Sequence, residues 1–60
     1  MNGFNYDENE KKIIITNGSH TVIWENVEKN VAEEAANLYE EAKSIDSYLI
    51  KNNCNRFWGN

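Results

Sequence analysis

The chain has 60 residues and a net charge of −4, from ten acidic and six basic side chains, with one cysteine and one histidine. A single cysteine excludes an intramolecular disulfide, and one Cys with one His cannot furnish a closed zinc site. The length allows one small domain, 1–60, which buries only about 60% of the surface its unfolded chain exposes. Its stability must therefore come from packing or from a partner.

The start, "MNGFNYDENE", has neither a basic opening nor an apolar run, so no signal peptide is expected. With a lone thiol, the expected location is cytoplasmic, or the host cytoplasm if the chain is viral. No stretch approaches the ~20 apolar residues that cross a bilayer, and no membrane partner is expected. The acidic balance argues against direct nucleic-acid binding and favours a partner with a basic surface.

In chain order, Phe4 and Tyr6 stand at period two before an acidic turn, which predicts a strand at about 3–7. A loop at Glu8-Asn9 would set Phe4 opposite Ile13 and Tyr6 opposite Lys11. "KKIIITNGSHTVIWEN" then predicts a hairpin, with strands at about 11–16 and 19–25 around a type I′ turn at Asn17-Gly18. That loop pairs Thr16 with Ser19, Ile13 with Val22 and Lys11 with Trp24. Ile13, Ile15, Val22 and Trp24 then share one face with Phe4, Tyr6 and His20, while Ile14 and Ile23 lie diagonally on the other.

From Asn30 the apolar period becomes 3.6. Val31, Ala35, Leu38, Ala42, Ile45 and Leu49 form one stripe, which predicts a helix over about 30–52. Asn30 with Glu33 reads as a cap with an acidic residue three positions on, and a start at Asn26 would add Val27 to the stripe. Lys51 suits the C-terminal dipole, and Asn52-Asn53 can supply a left-handed stop. The expected fold is α+β: an antiparallel β-meander of two or three strands with one long C-terminal amphipathic helix packed on one face. Its core would be Phe4, Tyr6, Ile13, Ile15, Val22, Trp24, Val31, Ala35, Leu38, Ala42, Ile45 and Leu49.

Such a helix is about 30 Å long, against roughly 17–23 Å for the strands, so it would overhang its sheet. The overhang carries Tyr48, Leu49 and Ile50, and the tail 53–60 adds Cys54, Arg56, Phe57 and Trp58. Two large aromatics in a tail call for cover, either from the last helical turns or from another molecule. The expected partner-binding residues are Tyr48, Ile50, Arg56, Phe57 and Trp58, joined by Ile14 and Ile23 on the outer sheet face.

No catalytic, cofactor or metal site is expected. His20 follows a tight turn with no nucleophile or carboxylate predicted beside it, and Cys54 follows a helix C-terminus, whose dipole disfavours a thiolate. Glu33, Glu34, Glu40 and Glu41 form an acidic helix face. Read as a nucleic-acid mimic, it is sparse: six acids from Glu28 to Asp46 give one per ~4.5 Å, against one per ~1.7 Å along duplex DNA. The expectation is a non-enzymatic protein-binding module, a small acidic regulator or inhibitor that docks on a larger protein. The alternatives are a nucleic-acid-mimicking inhibitor and a structural homodimer subunit. In size, acidity and its eleven scattered asparagines, the chain resembles inhibitors that bacteriophages encode against host enzymes or defence systems.

Overall fold

A computed structural model describes residues 3–59; residues 1, 2 and 60 of the expected domain lie outside the described residues. The chain is α+β, but neither the strand number nor the long helix stands as expected. Four strands, β1 (Gly3–Asp7), β2 (Lys12–Asn17), β3 (His20–Glu25) and β4 (Asn55–Gly59), form one antiparallel sheet in the order β1-β2-β3-β4. Two helices, α1 (Lys29–Glu40) and α2 (Asp46–Lys51), lie between β3 and β4 in sequence.

Both hairpins slip by two residues from the expected registers. Phe4 pairs with Ile15 and Tyr6 with Ile13, while Ile13 pairs with Trp24, Ile15 with Val22 and Asn17 with His20. The β2–β3 loop is Gly18-Ser19, and the positive φ of 65° falls on Gly18, the first loop position, which a type II′ turn reserves for glycine. The β1–β2 loop runs over 8–11, where the Asp7 carboxylate accepts the backbone N–H groups of Asn9 and Glu10 at 3.0 and 3.2 Å. Lys11 closes it at φ 55°. A slip of two leaves every side chain on its own face, because the strand period is two. The apolar face therefore survives the error: Ile13 and Trp24 are buried, and Phe4, Tyr6, Ile15 and Val22 pack around them.

The single long helix is overturned at residue 41. The backbone N–H of Ala42 donates to Tyr39 O at 3.0 Å and that of Lys43 to Leu38 O at 2.9 Å, with Ala42 at φ 58°. This is a Schellman stop with alanine in the place glycine usually takes. Geometry explains the break. The molecule extends only 25 × 22 × 18 Å, too short for a 30 Å rod, whereas α1 alone is about 18 Å long and matches the strands. Forcing alanine left-handed costs about 1–2 kcal/mol. Burying Ile45 and Leu49, both in the core, returns about 1.5–3 kcal/mol each.

The start of α1 also departs from expectation. Glu28 occupies the N-cap position, with no side-chain cap bond, and Asn30 lies inside the helix. Val27 precedes the helix yet is fully buried. The second stop follows the expected chemistry: Asn53 is left-handed at φ 64°, with Asn53 N–H donating to Ile50 O at 3.1 Å and Cys54 N–H to Leu49 O at 2.9 Å. Asn26, at φ 61°, donates its side-chain amide to Asn53 O at 3.1 Å. Two asparagines that turn the chain thus tie the β3–α1 connection to the α2–β4 connection.

The core comprises Ile13, Trp24, Val27, Val31, Ala32, Ala35, Ile45, Leu49 and Cys54. Of the expected core, Ala42 alone is exposed, because the helix ends there. Both helices cover the inner face of the sheet, and among the described residues the outer face carries no second layer.

Candidate binding surface

The C-terminal segment forms β4, an edge strand hydrogen-bonded to β3, rather than back-packing on the last helical turns. Its pairing is irregular. Val22 faces Gly59 and Ile23 faces Trp58, but Trp24 faces Arg56 and Glu25 faces Asn55. Phe57 is therefore the extra residue of a β-bulge. In an unbroken ladder Phe57 would oppose Trp24 and point inward; the bulge resets the alternation. The Phe57 ring lies 5.2 Å from the Lys12 ammonium, and Lys12 shares the outer face with Ile14 by strand parity. Phe57 and Trp58, adjacent in sequence, thus both serve the outer face, with 57% and 48% of their surface exposed.

A row of paired residues crosses all four strands of that face: Asn5 with Ile14, Ile14 with Ile23, and Ile23 with Trp58. Ile14 and Ile23 are half-buried and directly opposite, closer than the diagonal expected. Lys12 and Glu25 border the patch and approach to 3.9 Å. The Lys12 ammonium over Phe57 adds about 0.5–1 kcal/mol at an exposed site.

The other expected partner-binding residues lie elsewhere. Tyr48 packs against the core from α2. Ile50 is 64% exposed but belongs to the helical layer, on the opposite side from Phe57 and Trp58. Arg56 faces Trp24 across the ladder, and its guanidinium fills the space a side chain at Gly59 would occupy.

Glu33, Glu34, Glu40 and Glu41 are exposed, as expected of a solvated face. Their helix is only twelve residues long, so any acidic track is shorter than the sequence suggests. Glu41 approaches Lys43 at 3.7 Å. Among the described residues no cluster of three or more His, Cys, Asp or Glu side chains could hold a metal ion, and no helix is long and apolar enough to cross a membrane. Cys54 is buried, and burial pushes its thiol above its ordinary value, which disfavours the thiolate.

On the inner side, a cleft of about 250 Å³ opens between the sheet and the α1–α2 junction, lined by Ile15, Asn17, His20, Val22, Trp24, Tyr39, Ile45 and Asp46. Sequence reasoning missed it, since its walls meet only because the chain turns back at Ala42. Trp24 is 2% exposed, and its indole N–H is a buried donor with no partner among the described residues. No protein-family model, curated protein or solved structure matches the chain.

Proposed function

We propose that the chain is a non-enzymatic protein-binding module, a small acidic regulator or inhibitor that docks on a larger protein through the outer face of its sheet. One observation carries the reading: a β-bulge turns two adjacent aromatic side chains onto a sheet face that no helix covers. Aromatics beside a basic residue are the types enriched at binding hot spots. With Ile14 and Ile23 they form a contiguous apolar patch bordered by Lys12 and Glu25, an apolar centre with a charged rim. The net charge of −4 favours a partner with a basic surface around the docking site. A cytoplasmic location fits the lone buried thiol.

The test is affinity capture from the source cell with wild type, a Phe57→Ala/Trp58→Ala variant and a Glu33→Gln/Glu34→Gln variant. The reading expects a stoichiometric protein partner that the aromatic variant loses and the glutamine variant keeps, in a complex that survives high salt. Loss with the glutamine variant and steep salt sensitivity would mean nucleic-acid mimicry instead. A free protein whose sedimentation falls on dilution, with no other component present, would mean a homodimer.

A further inference from the structure

We propose that the cleft between the inner sheet face and the α1–α2 junction binds a small organic cation, a protonated amine on a compact apolar body. The cleft is separate from the outer-face patch, so this inference does not rest on the docking reading. Its size sets the first limit: about 250 Å³ lies below the ~300–1,000 Å³ that hold drug-sized ligands. Its walls set the second. Ile15, Val22, Trp24 and Ile45 offer apolar surface, which selects a ligand with a hydrocarbon or aromatic body.

Charge sets the third. Asp46 is the one carboxylate among the lining residues, no lysine or arginine joins it, and it remains exposed at the start of α2. Tyr39 brings a half-buried aromatic ring to the same cleft, beside the buried Trp24, and aromatic faces attract ammonium groups. The net charge of −4 draws cations toward the molecule and repels anions. Asn17 and His20 add hydrogen-bonding groups at the end of the hairpin. An anion would meet Asp46 with no lysine or arginine among the lining residues to offset it, and a neutral ligand would forgo both the carboxylate and the ring attraction.

A cation–π contact and one exposed ion pair together favour the amine over a neutral isostere by about five- to tenfold in Kd. The experiment titrates the full chain with 2-phenylethylamine, 2-phenylethanol and 3-phenylpropionate and follows amide and indole N–H resonances by NMR. The expected result is saturable shifts of the Trp24 indole and of Val22, Tyr39 and Ile45, with the Trp58 indole unmoved. The amine should bind five- to tenfold more tightly than the alcohol, and the carboxylate should bind most weakly. Asp46→Asn should cut the amine's preference over the alcohol to the roughly two- to threefold that the aromatic lining alone supplies. Raising the salt should weaken the amine alone, a second readout that stands even if the variant fails to fold. Equal binding of amine and alcohol by the wild type, a preference undiminished by both Asp46→Asn and high salt, shifts centred on Trp58, or no saturable shift would each overturn the proposal.

Discussion

The Tyr6 hydroxyl donates to the carbonyl of Val27 at 2.6 Å, across 21 residues of sequence. The Val27 N–H in turn donates to Lys11 O at 2.9 Å. Both backbone groups of one fully buried residue are thus held by the β1–β2 hairpin, and the hairpin fixes where the chain leaves the sheet to start α1.

Tyr6→Phe keeps the ring and deletes the donor, leaving the Val27 carbonyl unsatisfied. The expected cost is about 1–2 kcal/mol. A urea melt should show a lower midpoint at an unchanged slope. A change below about 0.3 kcal/mol would mean that water replaces the phenol.

Alkali should destabilise the fold. Burial, with Glu28 and Glu8 next, raises the Tyr6 hydroxyl above 10.0. Burial raises the Cys54 thiol above 9.0, and the hydrogen bond to Glu28 raises Lys11 above 10.5. In each case the folded chain holds its proton more firmly than the unfolded chain. That stability is complete below the unfolded value and is lost as pH rises through the folded one. Denaturation midpoints should be level from neutrality to about pH 9 and decline above it, and Tyr6→Phe with Cys54→Ala should make the decline shallower.

Ala42 sits at φ 58° in the α1 stop. Glycine there removes a left-handed strain of about 1–2 kcal/mol and adds an unfolded-state entropy of about 0.5–1 kcal/mol. Ala42→Gly should therefore stabilise the chain by roughly 0.5–1 kcal/mol, read as a rise in Tm. Asn53→Gly should gain less, since asparagine already tolerates that conformation.

Helix α1 has no acidic residue in its first turn and no basic residue in its last, where Glu40 stands. Lys29 in the first turn and Glu40 in the last oppose the dipole. Glu40→Lys should add about 0.3–1 kcal/mol at low ionic strength, and the gain should shrink with salt. Equal gains in low and high salt would point to propensity instead.

The backbone of β4 and its side chains should separate cleanly. Truncation after Asn53 removes β4 and the buried Cys54 and leaves β3 paired to β2 alone, so the monomer should lose most of its cooperative thermal transition. Phe57→Ala/Trp58→Ala keeps the strand and should cost about 1 kcal/mol or less. Should the double variant melt like the truncation, the two rings support the fold and the docking reading loses its basis.

The period-two pattern placed Phe4, Tyr6, Ile13, Ile15, Val22 and Trp24 on the core face even with both registers slipped by two. Parity depends on local alternation, whereas register depends on the turn, and "TNGSH" accommodates either Asn17-Gly18 or Gly18-Ser19 as its loop. The apolar stripe from Val31 to Leu49 was legible too. Its interruption was signalled only by Ser44, Asp46 and Ser47, residues that compete with helical backbone bonds.

The candidate surface was half legible. Phe57, Trp58, Ile14 and Ile23 stood out as apolar groups needing cover, but Tyr48, Ile50 and Arg56 belong to other parts of the molecule. A bulge leaves no mark in composition, because it is a mismatch between two strands 30 residues apart in sequence.

Alternation, turn chemistry and the want of cross-links were thus written into the chain itself, being properties of neighbours a few residues apart. Where the helix breaks, where "NRFWG" runs and which rings share a face were settled by closure of the whole. A rod longer than its sheet leaves Ile45 and Leu49 in water, and the free energy of burying them outweighs the strain of one left-handed alanine.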